Sequence, residues 1–310
     1  MTTLEQLWDR AKTGVKFGVG PVAVSVRASR RTRVDVNRRG RRRAILGAAA
    51  DRACLALDGE GATQVNERST GSSSREQVAL VVGVGPGIGT AVARRLTSAG
   101  MQLALASRGI NKLDGLVTEC RLLGGIAIPY GCDASDGISV SKMFDCLRED
   151  LGLPHLVIYN CEAFGPGGIL ETNPHAFERC WKVNCFGAFL VARACLPTML
   201  ERGSGTIIFI GPTGSLRGRR GFVNLAVGKS GARMLAQSMA REFGPQGIHV
   251  AHVVVDGPVL TPMNADVAED RGIDGLLDPN SVAETLYQLH IQDRTAWTHE
   301  LDLRPWVEPF

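Results

Sequence analysis

The chain of 310 residues is long enough to bury a substantial core as one domain or two, and 44% apolar with 21% charged residues is ordinary for a globular protein. No apolar run reaches the roughly 18–20 residues of a bilayer span, and no compact apolar segment with a small-residue cleavage site follows Met1, so neither a membrane span nor a secretory signal is expected, and the location expected is cytoplasmic. The eight cysteines form no C-x-x-C pair, which leaves zinc and dithiol chemistry without support. His249 and His252, three apart in an expected strand, point to opposite faces and cannot share a metal.

The net charge of +4 is unevenly spread. Residues 1–75 hold fifteen Lys/Arg against seven Asp/Glu, a charge of +8; the remaining twenty basic and twenty-four acidic residues give 76–310 a charge of −4. The excess lies in "RASRRTRVDVNRRGRRR", Arg27 to Arg43, which has no aromatic residue and no hydrophobic period and reads as disordered or loosely structured. Four readings of this arm stay open: a nucleic-acid contact, a transit segment to an organelle matrix, a contact with an anionic membrane, or an extension without a role. Ahead of it Thr2 and Glu5 have capping-box spacing, and after it Asn66 to Gln77 has linker composition. The division expected is therefore a basic extension, 1–75, and one folded domain, 76–310.

In the folded part the elements alternate. "QVALVVG", Gln77 to Gly83, is a continuous apolar run, as in a strand buried on both faces. Glycines follow, then a helical pattern through Ile88, Val92 and Leu96 that Gly100 closes. Strands are expected at 101–108, 125–131, 153–160, 205–211, 247–255 and 297–303. Helices are expected at 138–150, at 173–200 as one long or two abutting helices, at 221–244 and at 281–291. Repeated strand–helix alternation with buried-type strands predicts an α/β fold, a Rossmann-type doubly wound parallel sheet, with ligand outside the carboxyl ends of the strands.

The glycine turn has a physical reading. Gly83 permits a tight exit from the strand, Gly87 lets backbone approach a pyrophosphate, and Gly89 allows the helix to pack closely on the strand, while the helix start at Ile88 offers free N–H groups to phosphate. "GKS" at 228–230 is not the end of a phosphate loop, because the glycine that loop requires is Val223 and no suitable strand precedes it.

Five stretches in order resemble the short-chain dehydrogenase/reductase family: "GVGPGIG", "CDASD" at 132–136, "YNCEA" at 159–163, "KVNCFGAFL", and "DGPVLTP" at 256–262. The resemblance covers about residues 76–310. It implies that Asp133 contacts the adenine, that Asn160 keeps the one matching asparagine of the fourth-strand turn, that Asn184 is the helix-kink asparagine, and that Gly257 and Thr261 lie near the nicotinamide amide. It implies that Lys229 holds the nicotinamide ribose, a helix turn from where the family has its tyrosine. That position is Leu225, and Pro212 stands where the family has its serine, so both groups that touch the reacting carbonyl are replaced. Tyr159, at a strand end, is the expected substitute donor, alongside water held through Asn184 and Lys229. An acid at the end of the second strand would accept from the ribose of NAD; this chain has Ser107 and Arg108, which suit a 2′-phosphate, so NADP(H) is favoured over NAD(H).

The function expected is an NADP(H)-dependent oxidoreductase moving hydride to or from a small carbonyl or conjugated enoyl substrate; related dienoyl-CoA reductases of the family also lack the tyrosine. The alternative is a catalytically inactive NAD(P)(H)-binding protein acting as a sensor or assembly partner. The resemblance also implies a homodimer or homotetramer formed through the helices near 184–203 and 221–243. Nucleic-acid binding rests on the Arg27–Arg43 block alone.

Overall fold

Val78–Val82 forms the first strand, β1, and all five of its side chains are buried. A strand with no polar face must be covered on both sides, and the rest of the chain supplies that cover. The structure, a computed structural model, describes residues 77–272 and 274–309; the expectations for 1–75 lie outside the described residues.

After β1 come helix α1 (Ile88–Ser98), strand β2 (Gln102–Ser107), helix α2 (Asp114–Leu122), strand β3 (Ala127–Gly131), helix α3 (Gly137–Asp150) and strand β4 (Leu156–Tyr159). Helix α2 is absent from the elements expected above, although Leu113, Leu116, Val117 and Cys120 bury one helical stripe there. A single long helical segment follows, α4 (Pro174–Trp181) running through one wide turn at Lys182–Phe186 into α5 (Gly187–Arg202). The second half continues with β5 (Gly205–Pro212), α6 (Val223–Phe243), β6 (Ile248–Val255), α7 (Ala265–Arg271), α8 (Pro279–His290) and β7 (Glu300–Leu303).

Among the described residues all seven strands are parallel, in the order β3-β2-β1-β4-β5-β6-β7. Side chains of alternate parity fill two cores. Ala79 and Val81 join Val92, Leu96 and Leu286 on the side of α1 and α8, whereas Leu80 and Val82 join Phe144, Val191 and Ala236 on the side of α3, α5 and α6. The chain reverses its direction of travel across the sheet between β1 and β4, which opens a crevice at their carboxyl ends. The Pro174–Arg202 segment is long and apolar enough to cross a bilayer by length and composition alone, but Ala188, Val191, Ala192, Cys195 and Met199 pack into the second core.

Candidate functional site

The crevice begins at Gly83, whose φ of +92° belongs to glycine. A Cβ there would stand 2.7 Å from the backbone nitrogen of Cys161 and 2.8 Å from the carbonyl of Asn160, so the exits of β1 and β4 touch through this residue. Asn160 fastens the same point, its Nδ2 donating to the Gly83 carbonyl at 2.9 Å. Gly89 is needed for a different reason: a Cβ would lie 2.8 Å from Cα of Val84, so α1 closes onto the strand exit only without a side chain. Gly87 caps α1 with no side-chain hydrogen bond, and the first turn carries no acid. An uncapped helix start with backbone open to approach is an anion seat. Thr261 faces it, its methyl 3.1 Å from where a Gly87 side chain would begin; the Thr261 hydroxyl and N–H both donate to Asn264 Oδ1, at 2.9 and 2.7 Å.

Ser107 ends β2 with Arg108 next to it, and Asp133 follows β3, on the other flank of the turn. Arg108 is exposed and Ser107 half-buried. The Asp133 carboxylate accepts from Ser135 N–H at 2.9 Å and Ser135 hydroxyl at 2.7 Å. These bonds hold its pKa below the ordinary value, against the cost of burial, and the charge of Arg108 adds to them.

Across the crevice Lys229 enters from α6. It is 3% exposed, and its Nζ donates to the carbonyls of Cys161 at 2.8 Å and Ile210 at 3.1 Å, at the ends of β4 and β5. Burial pulls its pKa below that of an ordinary lysine, opposed by the neighbouring Glu162 and Cys161. Asn184 sits in the wide turn between α4 and α5, fully buried, and clamps one residue from both sides: its Nδ2 donates to the Ala163 carbonyl at 2.7 Å and its Oδ1 accepts from Ala163 N–H at 3.0 Å. The widened turn is the helix irregularity expected at this asparagine.

A cleft of about 230 Å³ lies between these groups, lined by Ile88, Asn160, Glu162, Ile210–Pro212, Lys229, Val255, Gly257 and Val259. It brings Ile88, Asn160, Gly257 and Lys229 together from four separate segments. Leu225, a turn before Lys229, is buried and offers no proton. Thr213 and Ser215, the hydroxyls nearest Pro212, are engaged: Thr213 Oγ1 donates to Asp256 and Ser215 Oγ donates to the Pro212 carbonyl at 2.6 Å.

Tyr159 requires a correction. It is 2% exposed in the α3/α5/α6 core, and its hydroxyl donates to the Val183 carbonyl at 2.5 Å. Burial raises the phenol well above its ordinary pKa. Its parity in β4 puts it on the same face as Val157, inside the protein, so it is no proton donor for the cleft. The residue missed in the sequence is Glu162, three positions on, whose carboxylate lies 3.9 Å from Lys229 Nζ with half its side-chain surface open. Its only signal was an acid standing where the family turn has a small residue.

The described residues fit a dinucleotide. The turn is free of side chains where a Cβ would obstruct it, the helix start is uncapped, and a buried cation stands at the far end of the same cleft.

The family profile for short chain dehydrogenase matches residues 77–272. A short-chain dehydrogenase/reductase of Armillaria gallica is 34% identical over 199 residues, 62% of this chain and 74% of that protein. Among solved structures, a short-chain dehydrogenase from Rhodopseudomonas palustris is 32% identical with a TM-score of 0.66, covering 74% of this chain and 99% of its own. A metagenomic short-chain oxidoreductase, solved in complex with NADP, is 25% identical with a TM-score of 0.66, covering 76% of this chain and all of its own.

Proposed function

This chain belongs to the short-chain dehydrogenase/reductase family of oxidoreductases, and on that premise we propose that it binds NADP(H) and moves hydride between it and a small carbonyl or conjugated enoyl compound. The single observation that carries the reading is Lys229: an almost fully buried ammonium in one cleft with the first residue of α1. Burying a cation is costly unless it is paired or bonded, and the two carbonyls that Lys229 bonds leave its third N–H for a ligand.

In this reading the α1 start and the glycine turn receive the diphosphate, Lys229 the nicotinamide ribose, Asp133 the adenine, and Gly257 and Thr261 border the nicotinamide. Ser107 and Arg108 take the 2′-phosphate, the guanidinium supplying charge-assisted hydrogen bonds. The metagenomic relative solved with NADP supports this preference by analogy. A bound dinucleotide would supply the hydride, and this chain's residues would orient it. Asn184 acts at one remove, by fixing Ala163 and so the segment that carries Cys161 and Glu162. Self-association through α5 and α6 is supported by an apolar groove along them lined by Phe189, Leu196, Leu200, Leu235 and Phe243.

Titration with NADPH and NADH, followed by nucleotide fluorescence, tests the reading. Saturable binding with NADPH the tighter ligand is expected; no affinity for either overturns it. A catalytically silent binder is favoured by the replaced Leu225 and Pro212, and is recognised by tight binding without turnover on any carbonyl, enoyl or alcohol substrate.

A further inference from the structure

The cleft contains several polar side chains, but almost all are committed. Asn160 donates to Gly83, and Lys229 donates to two backbone carbonyls, its third N–H being the one the reading above gives to the ribose. The Thr213 and Ser215 hydroxyls, next to Pro212 but outside the lining, donate to Asp256 and to the Pro212 carbonyl. Ile88, Ile210, Gly211, Pro212, Val255, Gly257 and Val259 have no exchangeable side-chain proton. Glu162 is the exception. It lines the cleft, half its side chain is open, and it accepts no hydrogen bond among the described residues. Its 3.9 Å separation from Lys229 Nζ is an ion-pair distance and too long for a direct hydrogen bond. Both lone-pair systems of Oε1 and Oε2 remain open to an incoming hydroxyl.

We propose that Glu162 is the proton-transferring residue of this enzyme, working beside Lys229 in the cleft from which tyrosine and serine have been lost. The inference rests on the NADP(H) reading above and adds a proton-transferring group to it. A carboxyl group with open lone pairs can take up and return a proton. A secondary alcohol placed in the cleft gives its hydroxyl proton to Glu162 as the O–H bond breaks. The carbon's hydrogen leaves with its bonding pair to the oxidised dinucleotide, and the oxygen electrons close the C=O bond. The products are a ketone, a reduced dinucleotide and protonated Glu162, which returns its proton to solvent through its exposed side. Reduction runs the same steps backwards, with protonated Glu162 giving its proton to the carbonyl oxygen as hydride reaches the carbon.

The test compares the full chain with Glu162→Gln, Glu162→Asp and Glu162→Ala. Each protein is titrated with NADPH, and each is assayed with NADP+ against a panel of secondary alcohols and cyclic diols and with NADPH against the matching ketones. Expected are NADPH affinities within about threefold of the parent for all variants and turnover reduced at least about a hundredfold in Glu162→Gln, the lower range of general-base contributions. Glu162→Asp should recover part of the rate, and formate or acetate should restore Glu162→Ala, a response that a merely structural glutamate would not show. Turnover in Glu162→Gln within threefold of the parent, a rate loss that neither Asp nor added carboxylate relieves, or a parent that binds NADPH and turns over nothing would each overturn the proton-transfer role while leaving the cofactor reading intact. A parent that binds no dinucleotide would overturn the cofactor reading itself.

Discussion

The β1–α1 turn and the β5–α6 corner face one cleft, yet they are specified by different kinds of information. At the turn, Gly83 and Glu162's neighbours Asn160 and Cys161 approach so closely that backbone alone fits, and α1 starts without a side-chain cap. At the corner, every feature is a side chain: Lys229 inside, Leu225 and Pro212 where proton-active groups would stand, and Glu162 reaching in from the end of β4. The turn keeps what a family needs to hold a common ligand. The corner is where chemistry diverges, because a side chain can be exchanged without refolding the sheet.

That contrast can be broken most severely at Gly83. Gly83→Ala forces a side chain at a φ of +92° into the Asn160–Cys161 backbone, and unfolding free energy measured by denaturant titration should fall by on the order of 4 kcal/mol. A smaller loss should come from acid. His252 is fully buried in β6 behind the corner, its ring nitrogens without a hydrogen-bond partner among the described residues. Desolvation, aided by Arg233, Lys229 and His299 and opposed by Glu300, depresses its pKa to about 4. The unfolded chain then binds a proton that the folded chain refuses, so stability is unaffected above about pH 6.5 and falls from there towards pH 4, by about 3 kcal/mol from this ring. Denaturation midpoints between pH 8 and 4 should show it, and His252→Gln should remove this ring's share of the slope, while His155 and His290, also depressed to about 4 by burial, keep theirs.

Three further substitutions sharpen the ligand side of the comparison. Lys229→Ala should weaken NADPH binding by about a hundredfold, the upper range for a charged hydrogen bond, while Gly87 and Gly89 still shape the turn; isothermal titration reads it. Arg108→Ala should erode the NADPH-over-NADH preference by about tenfold, with NADH affinity unchanged. Tyr159→Phe should cost about 1 kcal/mol of stability, the hydrogen bond to Val183, and leave turnover alone, which separates this buried phenol from Glu162.

Particular residues show how far the sequence could be read. The strand runs, the glycine spacing and the asparagine at 184 sit in local patterns, and each appears where those patterns put it. Helix α2 was equally local, its stripe of Leu113, Leu116, Val117 and Cys120 present but overlooked between two stronger strand signals. Tyr159 was different. Its type suited proton transfer and its place at a strand end suited the site, but which face of β4 it occupies depends on which helices cover that face.

The amino-acid sequence by itself determined a parallel doubly wound sheet with a glycine-rich turn after its first strand, since both follow from spacings within a few residues. Only the tertiary structure decided that Tyr159 turns into the core while Glu162 turns into the cleft. Residues three apart at a strand exit carry no local signal of where they will face; the surrounding helices and the crevice between β1 and β4 settle it by leaving room for a charge on one side and none on the other.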